Sequence, residues 1–403
     1  MKLRKNCRIC NFKLQKIISF NKISLVGNFY KNKGDKKKFP ISLNFCKKCK
    51  HVQIAEIINP VKLFSNYLWQ TSVSKTNFLI FEQLLKQYKK FFKNKAKVLE
   101  IACNDGSFLK FLKKKFNCLF VGVDPAKNIF KGNKNIKFIN NFFNYSSSKV
   151  LKKKFGKFDI IFARNVLAHV TYPNEIFKGV KELLSKKGIF VIEVPHLLPI
   201  MKNLQYDNIF HEHQGFHTLK SIKDLCDQND LKVSNVQVIS SQGGSIRCEI
   251  KNKDNKINMK VKNFINYELK NKLFNDRYLK KFKNKILEHS KSLFNFISFL
   301  KRKNMKISVY GASGKGQALM QFCNIDYKLI DKVYDKSNLK KGRFTPGTNI
   351  KITLPKNIYR KNIDYMLLLS WNLKSEVLKQ EKNFIKQGGK FITPFPQPKI
   401  IKL

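Results

Sequence analysis

The apolar positions of this chain change rhythm twice, near residue 97 and again near residue 305. From Lys97 a short apolar run, 97–102, reads as a buried strand, followed by the tight turn 103–107. A helix is expected over 108–116, where Phe108, Leu109, Phe111 and Leu112 are apolar, and a second strand over 118–124 ends on Asp124. Strands at 158–165 and 188–194, with a helix at 173–184 between them, continue a βαβ alternation. The second restart gives a strand at 307–310, the turn Gly311-Ala312-Ser313-Gly314-Lys315-Gly316, a helix at 317–323, and strands at 330–335, 365–371 and 390–394. Between the two lie a strand–turn–strand at 236–250 and a lysine-rich helical stretch at 255–304. An amphipathic helix at 77–92 precedes the first unit, with Phe78, Phe81, Leu84, Leu85 and Tyr88 at helical spacing. The expected fold is α/β in three parts: a small zinc ribbon at 1–62, a Rossmann-like domain at 63–254, and a helical linker plus second Rossmann-like domain at 255–403.

The ribbon rests on cysteine spacing. Four of nine cysteines form two close pairs, Cys7-x-x-Cys10 and Cys46-x-x-Cys49. Each pair suits a turn offering two sulfurs to one tetrahedral ion, so a structural four-thiolate Zn2+ site is expected. The other five cysteines are scattered in apolar surroundings, which excludes a secreted disulfide framework. With no apolar leader behind Met1 and no long uncharged apolar run, a cytoplasmic chain without a membrane span is expected, acting as a monomer.

Charge changes this picture little. The net charge is +55, but of 81 basic residues only eight are Arg. The lysines are interleaved with Asn, Ile and Phe along the whole chain rather than gathered in a patch. Nucleic-acid readers favour Arg for base edges and stacking, so specific nucleic-acid binding is not expected. A zinc-ribbon nucleic-acid-binding protein stays the alternative that the charge alone would support.

Candidate chemistry collects at strand ends and in one histidine-rich run. The turn after the first strand lacks the glycine spacing a pyrophosphate needs, and Glu100 gives it an acidic entry suited to a cationic ligand, S-adenosylmethionine rather than NAD. Asp124, eighteen residues past Gly106, is placed to take ribose hydroxyls. The second turn, with Ser313 and Lys315 at a helix N-terminus, suits an anion. Arg247 follows Gly243-Gly244-Ser245 in a turn that could cradle a phosphate or belong to a plain hairpin. The run Tyr206-Asp207-Asn208-Ile209-Phe210-His211-Glu212-His213 packs two imidazoles and two carboxylates into eight residues, with His217 nearby and Glu193-Val194-Pro195-His196 upstream. It could serve proton transfer, hold a metal through His211, His213 and His217 with Asp207 and Glu212, or consist of hydrogen-bonded structural histidines.

The order of these motifs resembles the three-domain class I sugar C-methyltransferases that act on nucleotide-linked 4-ketosugars. The resemblance covers nearly the whole chain: both cysteine pairs, 100–106, 122–125, Asn165-Val166-Leu167-Ala168-His169-Val170, 193–195, 211–213, 243–247, 311–316, Pro346-Gly347-Thr348 and Trp371-Asn372. It implies S-adenosylmethionine as cofactor, held by Glu100, Ala102, Asn104, Asp105, Gly106, Asp124, Pro125 and Asn141. It implies a nucleotide-sugar substrate contacted by Tyr67, Glu193, Arg247, Ser313 and Lys315. His213 is the implied base, Glu212 its orienting partner, His211 a further catalytic candidate in the same run, and His169 and Asn165 the groups holding the keto oxygen. Transfer to oxygen or nitrogen of another small molecule is the alternative. Three departures mark this chain: Phe210 stands where the family has Tyr, Gly215-Phe216-His217-Thr218 stands where its following aromatic motif ends Tyr-Phe-Ser, and Ala102 replaces a customary glycine, acceptable by size.

Overall fold

The computed structural model describes residues 1–34, 37–129, 135–254, 258–356 and 358–401. Seven strands form the central sheet, in spatial order Leu231–Ile239, Ser245–Asn252, Leu184–Pro195, Phe158–Arg164, Lys97–Ile101, Leu119–Asp124 and Lys137–Asn140. The last five are parallel, and the 231–252 hairpin adds antiparallel to Leu184–Pro195. Side chains alternate across the sheet. Leu99 and Ile101 join Phe177 and Val180 on one face, whereas Val98 joins Phe81 and Phe108 on the other. Both faces are covered, which is why these strands read as continuous apolar runs.

The helix at Pro173–Leu183 starts on a proline at its first position, where the missing N–H would be unpaired anyway. The strand after it starts at Leu184, earlier than the expected 188, with an irregularity between Leu184 and Ile189. The helix at Met259–Lys270 lies on the central sheet's side of the molecule. Its buried Glu268 accepts from the Leu219 and Lys220 N–H groups (2.7 and 3.1 Å) and so caps the helix at Leu219–Asp227. Of the expected 255–304 helical stretch, residues 255–257 lie outside the described residues.

The second sheet has six strands, in order Ile352–Thr353, Val333–Tyr334, Ile307–Tyr310, Tyr365–Leu368, Lys390–Thr393 and Lys399–Ile400, parallel except for the last. The strand expected over 330–335 shrinks to Val333–Tyr334 because Ile330 is folded into a turn whose N–H bonds the Asp326 carbonyl (3.0 Å). The helix at Asp276–Arg302 buries Leu279, Phe282, Ile286, Leu293, Ile297 and Leu300 at helical spacing and turns its lysines outward.

The N-terminal part is an antiparallel sheet of Gln15–Ser24, Lys38–Phe45 and Val52–Ile54, and its fourth strand is not local: Gly215–Phe216, directly after the histidine run, pairs with Val52–Gln53. One apolar core joins Val26 and Phe45 of the ribbon to Tyr206 and Phe210, and these to Ala312 and Leu319 of the second Rossmann-like unit. The histidine run therefore sits where all three parts meet.

Candidate active site

The turn after the strand Lys97–Ile101 is held in an unusual backbone state. Ala102, Asn104 and Gly106 have φ of 55°, 53° and 69°, all left-handed. The glycine expected at 102 is thus explained by conformation rather than size, since a Cβ in this region costs about 1–2 kcal/mol. Asn104 and Asp105 brace the turn instead of lying open. Asn104 Oδ1 accepts from the Thr71 N–H (3.0 Å), and Asp105 accepts from the Ser72 and Ser107 N–H groups (3.0 and 3.1 Å). Residues 65–74 consequently run across the turn as a strap, pinned also by the mutual bonds of Tyr67 and Asn128. Asp124 accepts the Asn104 and Ala126 N–H groups (2.8 and 2.9 Å), one on each carboxylate oxygen, leaving a further lone pair on each. Pro125 follows it half-buried, and Asn141 lies exposed past the end of the neighbouring strand. Glu100 is paired through one oxygen with Arg164 (2.6 Å), while its other oxygen is buried and unpartnered. Burial, only partly offset by Arg164, pushes its carboxyl up to about 7. Asn165, at φ 55°, also turns a buried, unpartnered Oδ1 inward.

The histidine run separates into distinct jobs. His213 Nδ1–H donates to the Asn208 carbonyl (2.8 Å), which fixes the tautomer: Nε2 carries the lone pair. The ring lies on Phe210 (centroids 4.0 Å) and edge-on to His169 (4.7 Å). Burial, with His169 and Lys315 nearby, holds His213 well below the ordinary imidazole range. His169 Nδ1–H donates to the Glu212 carbonyl (3.0 Å), and burial lowers it to about 4. Its Nε2 is therefore an acceptor, so His169 in this state gives no proton to a keto oxygen, contrary to the expectation. Glu212 does not orient His213 through its carboxylate. That group accepts the Tyr67 hydroxyl (3.4 Å) and lies against Gly27, and burial raises it to about 7. His211 points away, donating Nε2–H to the Pro40 carbonyl of the ribbon (3.0 Å). His217 lies tilted against His51 (centroids 4.6 Å) and meets Ser221 Oγ. Among the described residues the three histidines form no metal-binding group.

The second Rossmann-like unit contributes Lys315 and Trp371. Lys315 donates to the Gln242 carbonyl (3.0 Å), and burial lowers its pKa. Trp371 Nε1–H donates to the fully buried Asp207 (2.7 Å). Ser313 is spent as a helix cap, accepting the Gly316 N–H (3.1 Å). Glu193 and Arg247 are opposed across paired strands and bound to each other (2.7 Å), with Arg247 also donating to Gln87 (2.7 Å). Both are nearly inaccessible, and their geometry is that of an internal ion pair rather than a ligand contact.

In the ribbon, the sulfurs of Cys7, Cys10, Cys46 and Cys49 all lie within 4.8 Å of one another, and the closest pairs are 3.4 and 3.5 Å apart. Four thiolates about 2.3 Å from one zinc stand about 3.8 Å apart, so the donor set and its spacing fit that ion. Sequence reasoning missed Gly27, whose Cβ, if present, would lie 2.6 Å from Glu212 Oε1, and Arg8, whose guanidinium reaches out of the first cysteine pair. The scarcity of Arg was a signal for the second; nothing local marked the first.

Three known families tile the chain in order. A putative zinc binding domain matches residues 7–64, a methyltransferase domain 76–236, and a C-methyltransferase C-terminal domain 240–396. The C-methyltransferase NovU of Streptomyces niveus is 27% identical over 405 residues, covering 98% of this chain and 96% of that protein. Solved structures align less well. A SAM-dependent methyltransferase from Anabaena variabilis and a putative sarcosine dimethylglycine methyltransferase from Galdieria sulphuraria are each 14% identical, cover 45% of this chain and 86% of theirs, and reach a TM-score of 0.36. At such scores they carry no weight here. Matched in that order by a zinc-binding, a methyltransferase and a C-methyltransferase C-terminal domain, the chain is an S-adenosylmethionine-dependent methyltransferase.

Proposed function

We propose that this enzyme methylates a carbon beside the ketone of a nucleotide-linked 4-ketosugar, with His213 as the general base. The observation that carries the reading is the state of His213: its Nδ1–H is committed to the Asn208 carbonyl, so Nε2 is an unprotonated acceptor in a buried setting. Carbon becomes a nucleophile only when a neighbouring proton is removed, and a ketone makes that proton acidic enough for an imidazole. His213 Nε2 takes the proton from the carbon, and the electron pair of that C–H bond moves toward the keto oxygen. Lys315 acts electrostatically on the base and retains donors beyond its bond to Gln242, so it suits the developing oxygen charge better than His169 does. Asn165, just past the end of its strand, is the second group assigned to the keto oxygen in this reading.

S-adenosylmethionine supplies the methyl group as an electrophile. The groups suited to hold it are Glu100, the left-handed turn through Ala102, Asn104, Asp105 and Gly106, then Asp124 with Pro125, and Asn141. The unpartnered oxygen of Glu100 is the feature that favours a cationic ligand there. Tyr67 and Ser313 border the same convergence, whereas Glu193 and Arg247 serve it by holding the sheet. The three units proposed from sequence, 1–62, 63–254 and 255–403, would then supply the brace, the cofactor site and the second wall of the substrate site.

The test is product chemistry. A panel of nucleoside-diphosphate 4-ketosugars is incubated with the enzyme and S-adenosylmethionine carrying a 13C-labelled methyl. A new methyl resonance in the aliphatic carbon range supports the reading, and one in the methoxy or N-methyl range, or no transfer to any member, refutes it.

A further inference from the structure

We propose that Arg8, inside the first cysteine pair of the zinc site, is a positioning residue that locks the two active-site histidines to each other; this rests on the reading of His213 as base. Arg8 lies between Cys7 and Cys10 and is 6% exposed. One arm of its fork leaves the ribbon and the other stays on it. Nη1 donates to the Val170 carbonyl and to Gln214 Oε1, each at 3.3 Å, and Nη2 donates to the Ile54 carbonyl at 3.0 Å. Val170 follows His169, and Gln214 follows His213. The loop closes on the far side, where His169 Nδ1–H bonds the carbonyl of Glu212 at 3.0 Å. The two histidine segments are thus bridged twice, once by an imidazole and once by a guanidinium.

The bridge is anchored at both ends. The Arg8 N–H donates to Gln53 Oε1 (2.9 Å), and the Gln214 side chain donates to the His211 carbonyl (2.6 Å). Gly215 and Phe216 then pair with Gln53 and Val52. The tetrahedral cysteine site holds the turn that carries Arg8, so zinc acts at a distance on where the base sits. Donors fixed in one plane on two separate nitrogens are what a guanidinium offers and the single nitrogen of an ammonium does not. In a chain where Lys outnumbers Arg 73 to 8, an arginine here is a specific requirement.

The experiment uses the zinc-loaded full chain, without substrate, labelled with 15N-histidine. Seven histidines give a resolvable spectrum. In the wild type, His169 and His213 give the Nδ1–H pattern and His289, which donates Nε2–H to the Pro394 carbonyl (2.7 Å), gives the other tautomer. In Arg8→Met with zinc content retained, the His169 and His213 patterns shift toward tautomer averaging while His289 stays. On the 4-ketosugar that the wild type turns over, kcat falls about 100-fold with KM within about threefold, the signature of a displaced catalytic group. Arg8→Lys does not restore either. Unchanged histidine patterns and unchanged kcat in zinc-replete Arg8→Met overturn the proposal. Should Arg8→Met lose zinc, Gln214→Met cuts the same bridge without touching the cysteine turn, and an unchanged pattern there overturns it equally. His213→Ala is run in parallel: retained turnover in that variant refutes the base assignment, whatever the arginine variants show.

Discussion

Gly27→Ala tests how closely the ribbon is fitted to the histidine run. The added Cβ would lie 2.6 Å from Glu212 Oε1 and 3.6 Å from its Cδ, whereas ordinary contact begins near 3.4 Å. The carboxylate must therefore retreat by about 0.8 Å, the difference between those first and last distances. It has little room, being 5% exposed with the Tyr67 hydroxyl on its other oxygen. Overpacking of this kind costs about 1–3 kcal/mol. The same residue's carbonyl orients His169, so a shift of its backbone also disturbs the ring pair, at about 100-fold in kcat for a displacement near 1 Å. Denaturant unfolding of the zinc-loaded protein measures the first effect and single-turnover kinetics the second. The decisive comparison is a double-mutant cycle. In a Glu212→Ala background the obstructing oxygen is gone, and Gly27→Ala becomes nearly neutral in stability, giving a coupling of about 1–3 kcal/mol. A coupling near zero, or an unaltered kcat in the single variant, refutes the reasoning.

Four further outcomes are expected. Arg247→Met strands the buried Glu193 carboxylate and lowers stability by about 3–5 kcal/mol, with KM of the folded fraction unchanged; a raised KM at full stability would restore Arg247 as a substrate contact. Ala102→Gly relieves the left-handed strain but loosens the unfolded chain, a net gain of up to about 1 kcal/mol in thermal or denaturant unfolding. Because His213 is held below its ordinary pKa of 6.5 by burial, the unfolded chain binds its proton first as pH falls, so this residue withdraws stability from about pH 6.5 downward. His213→Gln lacks that term, and its stability relative to the wild type improves between pH 8 and 5. Cys46→Ser abolishes zinc uptake, measured by metal analysis, and exposes the Gly215–Phe216 amides to hydrogen exchange before those of Lys97–Ile101.

Much of the fold could be read from the chain because buried parallel strands and helices leave their periods in apolar residues: Val98-Leu99-Glu100-Ile101 and Ile307-Ser308-Val309 are strands for that reason. The cysteine spacing was equally direct, since the turn geometry is local. What could not be read depends on register and on contacts between distant segments. Glu193 and Arg247 looked like ligand contacts until strand pairing placed them opposite each other. His211 and His213, two positions apart, looked like partners, yet one binds the ribbon's Pro40 and the other Asn208. A two-residue strand at 215–216 has no period to detect, although it is what joins the ribbon to the histidine run. Backbone carbonyls, which fix the tautomers of His169 and His213, leave no trace in side-chain identity.

The claim that matters most is that His213 removes a proton from carbon, and solvent deuterium exchange measures this directly. The enzyme is incubated in D2O with the proposed nucleotide-linked 4-ketosugar and S-adenosylhomocysteine in place of the methyl donor. The account predicts deuterium at the carbon beside the ketone with the wild type and none above the uncatalysed rate with His213→Ala. Exchange that persists unchanged in His213→Ala would contradict it.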